Sequence, residues 1–88
     1  MPTLSFASAI ARHVACPPMT VDAASVGVAL EIYFAAHPRV RTYVLDEQGA
    51  VRHHVAIFVD GTLRRGEVLE QALSPSTEVH VMQALSGG

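Results

Sequence analysis

The chain has 88 residues, half of them apolar and 16% charged, the composition of one globular domain rather than a disordered segment. Eight acids against six bases leave a formal net charge of −2, and all six bases are arginines without a basic stripe, so nucleic acid is not an expected partner. The single cysteine, Cys16, excludes an internal disulfide and points to a reducing compartment, the cytoplasm.

Residues 1–21 hold no acid, but Leu4 and Phe6 alternate with Thr3 and Ser5, which reads as a first strand over 3–9 rather than a targeting peptide. Pro17-Pro18 interrupts regular structure, and 19–22 reads as a second short strand, joined to the first by an irregular connection over 10–16. A helix is expected over 25–36. Ser25 supplies its cap, and Val26, Ala29, Leu30, Tyr33 and Phe34 fall on one stripe. Pro38 disfavours helical geometry at His37 and ends it. The apolar stretches around 28–30 and 32–36 are broken by Glu31 and fall short of the ~20 residues a membrane span needs, so no membrane association is expected.

Residues 43–45 read as a short strand before the turn at 46–49. A stronger strand is expected over 54–60, with Val55, Ile57 and Val59 on one face and Ala56, Phe58 and Asp60 on the other. Asp60-Gly61 is a hairpin turn, 62–64 a return strand at the edge, and 78–84 the last strand after a turn at 74–76. One helix on one face of a mixed sheet is an α+β architecture. With the first and last strands side by side and parallel at the centre, it is the ubiquitin-like β-grasp. Residues 1–84 form the domain and 85–88 a flexible tail ending in Gly-Gly.

The segment HVAIFVDG over residues 54–61 resembles the "VxVFVNG" element of the MoaD/ThiS family of sulfur carriers. The segment LSPSTEVHVMQALSGG over 73–88 is similar to that family's "PLxxGDEVxxxPxxxGG" ending, and the helix followed by Pro38 to its "TVGxxLxxLxxxxP" element. The chain departs from these patterns in Ser76-Thr77 for Gly-Asp, in Gln83 or Ala84 for the tail proline, and in Asp60 for Asn.

The resemblance implies a protein that is a co-substrate rather than an enzyme, with no catalytic side chain, no bound cofactor and no metal. Its reactive group is the α-carboxylate of Gly88. A ubiquitin-activating-type adenylating enzyme uses ATP to activate that carboxylate. Sulfur then comes from a sulfurtransferase or cysteine desulfurase and leaves as a thiocarboxylate for an acceptor synthase. Molybdopterin, thiamin and other sulfur-bearing products are equally open destinations. Gly87 and Gly88 lack a Cβ, so with Leu85 and Ser86 they suit a narrow channel in a partner. Alternatives are a β-grasp interaction module whose tail is never activated and a ubiquitin-like modifier joined to other proteins through Gly88.

Alternation places Phe58, Met82 and Ala7 on the sheet face away from the helix, with Leu63 at the border, as a docking patch. The competing arrangement buries them beneath the loop over 64–73. His53 and His54, read as neighbours on a strand, point to opposite faces and do not chelate together. Arg64-Arg65 is a basic pair able to steer an acidic partner.

Overall fold

The computed structural model describes residues 1–83. Five strands form one sheet: β1 (Thr3–Phe6), β2 (Met19–Thr20), β3 (Val55–Val59), β4 (Thr62–Arg64) and β5 (Glu78–Gln83), in the order β2-β1-β5-β3-β4. β5 lies at the centre, parallel to β1 and antiparallel to β3; β1 with β2 and β3 with β4 are antiparallel hairpin pairs. This is the ubiquitin-like β-grasp expected from the sequence.

Alternation along the strands divides the sheet. Leu4, Val55, Ile57, Val59, Val79 and Val81 are all buried and belong to one core cluster. The helix α2 (Val26–Ala36) closes that core with Val26, Ala29, Leu30, Tyr33 and Phe34, the five residues of the predicted stripe. Burying a Val, Leu, Ile or Phe side chain of this set stabilises the fold by about 1.5–3 kcal/mol through the apolar area it removes from water. Ser25 caps the helix, its Oγ accepting from the Val28 amide at 3.2 Å.

The loop after β4 runs along this helix, not over the other face. The Val26 amide donates to the Gln71 carbonyl at 3.0 Å, and the Leu73 amide to the Ala24 carbonyl at 2.9 Å. Gly27 is where helix and loop meet: a Cβ there would stand 3.0 Å from the Leu69 carbonyl oxygen.

Three local expectations are corrected. The first strand ends at Phe6, and Ser8–Ala11 form a single helical turn, α1. Continued alternation would have sent Ser8 inward; the turn delivers Ile10 to the core instead, with no exposed surface. Pro38 ends α2 but also starts α3 (Pro38–Val44), because a proline whose missing N–H costs nothing at a first helical position serves both purposes. The sheet is therefore covered by two longer helices, and the strand expected over 43–45 shrinks to a single bridge between Leu45 and Val51. His53 and His54 lie in the turn before β3 rather than on it, with their rings edge to face at 5.8 Å.

The turns use the chemistry their residues offer. Asp60 and Gly61 both have positive φ, 51° and 80°, as a two-residue hairpin of right-handed strands requires. Asp60 tolerates this because its carboxylate is held, Oδ1 accepting from the Glu78 amide at 2.9 Å. Thr77, where the resemblance has Asp, is buried and its Oγ1 accepts from the Ser74 amide at 2.9 Å.

Candidate docking face

The second face of the sheet carries no helix. The register assembles a row across four strands: Ser5 on β1 is level with His80 on β5, His80 with Phe58 on β3, and Phe58 with Leu63 on β4. Residues level with one another point the same way. Phe58, His80 and Met82, with Ser5, Glu78 and Gly61, line a shallow hollow of about 370 Å³.

Phe58, Met82 and His80 are half-buried, whereas Leu63 is 38% exposed at the sheet edge. Ser5 Oγ and His80 Nδ1 are hydrogen-bonded at 2.8 Å, joining the two parallel strands on this face. Next along, Met82 is level with the buried Ala56. The hollow is thus a mixed surface: an aromatic ring and a thioether beside a hydroxyl–imidazole pair.

Three of the four residues expected in the docking patch therefore share one face. Phe58 and Met82 line the hollow, and Leu63 stands opposite Phe58. Ala7 lies apart from the hollow's lining, as the N-cap of α1, though its amide still donates to the Val81 carbonyl at 2.8 Å and extends the β1–β5 ladder. The expectations for Leu85, Ser86, Gly87 and Gly88 lie outside the described residues. The strand parity that selects Met82 selects His80 for this face as well, whereas Ser5 was not legible in the sequence, because only the parallel pairing brings it here.

On the opposite side of the molecule the titratable groups are structural. Tyr33 is fully buried and its hydroxyl donates to the Pro17 carbonyl at 2.7 Å, pinning the 10–18 connection to α2. Burial, and then the neighbouring Cys16, push the Tyr33 phenol up to about 12. Burial likewise pushes the Cys16 thiol up from its ordinary value, which disfavours the nucleophilic thiolate. Among the described residues no group of three or more His, Cys, Asp or Glu side chains is gathered where it could hold a metal ion. No helix among them is long and apolar enough to cross a membrane.

No protein-family model matches the chain, and no curated protein matches it. Solved structures do. SAMP1 of Haloferax volcanii, a small archaeal modifier protein, shares 24% identity and a TM-score of 0.78 over 99% of this chain and 98% of its own. CysO of Mycobacterium tuberculosis superposes with a TM-score of 0.81 at 17% identity, covering 97% of this chain and all of that one. A chain of the BexX/CysO complex of Amycolatopsis orientalis reaches 0.83 at 16% identity over the full length of both. Over the described residues the fold of this chain is the fold of these proteins.

Proposed function

We propose that the protein is a sulfur carrier whose working group is the Gly88 carboxylate. The observation that carries this reading is the position of β5. The strand that leads to Gly87-Gly88 is the innermost of the sheet, held by β1 on one side and β3 on the other, and it borders the uncovered Phe58–Met82 surface. The end-to-end likeness to CysO and to a chain of the BexX/CysO complex supports a carrier that works while docked on a second protein.

The chemistry originates in the carboxylate itself. As an anion at neutral pH it resists nucleophiles. Its oxygen attacks the α-phosphorus of ATP and pyrophosphate leaves, so an acyl-adenylate forms. The terminal sulfur of a persulfide on the sulfur donor attacks the acyl carbon and AMP leaves. A thiol reductant then cleaves the S–S bond, and the thiocarboxylate remains to hand its sulfur to an acceptor. The domain contributes no acid, base or nucleophile; it presents the terminus and the docking face together. Adenylating enzyme, sulfurtransferase or cysteine desulfurase, and acceptor synthase are the partners of this cycle, in the cytoplasm.

The test is intact-mass spectrometry after incubation with a ubiquitin-activating-type adenylating enzyme, ATP and a persulfide donor. One oxygen exchanged for sulfur in the last peptide is the expected result. Deleting Gly88 abolishes the exchange and leaves the folding transition unchanged. A wild-type chain that acquires neither adenylate nor sulfur overturns the reading in favour of an interaction module. A second use, amide linkage of Gly88 to other proteins, is favoured by the likeness to a small archaeal modifier protein; conjugates carrying the Gly88 acyl group on a target lysine are its signature.

A further inference from the structure

Tyr33 and Cys16 are the buried titratable groups of the helix side, and a second set lies nearer its surface. A hollow of about 720 Å³ opens there, between the 13–15 connection and the junction of α2 with α3, against about 370 Å³ for the docking hollow. Val14, Pro38 and the buried Val40 give it apolar walls; His13, His37 and Arg39 bring hydrogen-bond donors. A mostly aliphatic wall with a few donors, at this size, is the make-up of a small-molecule site.

Both imidazoles are held by aromatic neighbours. The His37 ring lies 4.7 Å from that of Tyr33, which is fully buried and tied to the Pro17 carbonyl. The His13 ring lies nearly parallel to that of Tyr43, 15° apart with centroids at 6.2 Å, and Tyr43 packs against the core. The donors are thus placed by the fold before any ligand arrives, which lowers the ordering cost of binding.

The charges around the hollow favour an anion. Its walls come from two stretches of chain, 1–21 and 32–45, that contain no aspartate or glutamate. Glu31 on α2 is turned roughly 140° around the helix from Ala36, which lines the hollow. Asp46 closes its own turn, Oδ1 accepting from the Gln48 and Ala50 amides, and the hollow it lines with Glu47 shares no residue with this one. Arg41 reaches toward that turn, 3.9 Å from where a Gly49 Cβ would stand, so Arg39 is the arginine of this site.

We propose that the hollow binds a small phosphate monoester, its phosphate on Arg39, His13 and His37 and its carbon body against Val14, Pro38 and Val40. A guanidinium fork pairs with two phosphate oxygens, and each neutral imidazole still has one N–H to donate. A carboxylate offers only two oxygens to these three donor groups; a phosphate monoester offers three. The apolar walls separate an ester from free phosphate, which has no carbon body to remove from water. The site lies on the helix side, away from the Phe58–Met82 face, and does not depend on the carrier reading.

The experiment is an NMR titration of the full chain with phenyl phosphate. Saturating shifts at His13, Val14, His37, Arg39 and Tyr43, with a Kd of about 1 mM or below, are expected. Inorganic phosphate binds about tenfold more weakly, and benzyl alcohol does not bind. Arg39→Gln lowers the affinity for phenyl phosphate about tenfold, the effect of losing a charge-assisted bond. Arg65→Gln removes the same charge from a different hollow and changes nothing. Both arginines are exposed, so neither substitution opens the core. Shifts that do not saturate, or equal losses in the two variants, overturn the proposal. So does inorganic phosphate binding as tightly as the ester, or poly-L-glutamate binding there more tightly, which assigns the hollow to an acidic protein instead.

Discussion

Ile57 and Phe58 are neighbours on β3, and they belong to different tasks. Ile57 points to the helices and is 1% exposed within a cluster that gathers residues from nearly every element. Phe58 points the other way, outside that cluster, into a hollow shared with His80 and Met82. The same strand thus carries a face that folding completes and a face that folding leaves open. Apolar groups on the first are sealed within this chain, while Phe58 and Met82 on the second stay half-buried.

The largest effect that tests this contrast is Ile57→Ala, which costs about 2–5 kcal/mol of unfolding free energy because a sealed core is left with a void. Its urea midpoint falls accordingly. Phe58→Asp costs about 1 kcal/mol of stability, the scale of strand propensity, but about 2 kcal/mol or more of binding to the partner by calorimetry. A stability loss matching that of Ile57→Ala would place Phe58 in the core and erase the contrast.

The Tyr33 phenol is a third probe, of the closed side alone. Its folded value is raised to about 12 from 10, so the buried neutral form contributes stability that is intact below pH 10 and is lost as pH rises toward 12. The Cys16 thiol, raised by burial from 9.0, adds to the same alkaline loss. Tyr33→Phe flattens the alkaline limb of a stability–pH curve and costs about 1 kcal/mol at neutral pH for the bond to Pro17. The smallest effect is Ser25→Ala, about 1 kcal/mol or less, read as a shift in melting temperature with no change in binding.

The limits of the sequence lie in identifiable places. The stripe of α2, the Asp60-Gly61 turn and strand β4 were legible because each depends on spacing within a few residues. The α3 helix was not legible, since Pro38 signals a stop and a start with the same ring. The α1 turn was hidden because alternation through Phe6 gives no sign that the next inward residue is Ile10. Of the docking face, the parity of Phe58 and Met82 was readable, while Ser5 entered only with its partner on β5.

The amino-acid order alone determined which side chains share a face of each element, because pleat and helical turn are local periodicities. It also carries the Gly87-Gly88 pattern on which the carrier reading depends. Tertiary structure alone decided what stands beside what: Ser5 against His80 across 75 positions, and Arg52 in one groove with Arg64 and Arg65. Pairing between distant strands is settled by the closing of a common core, and no short-range pattern encodes it.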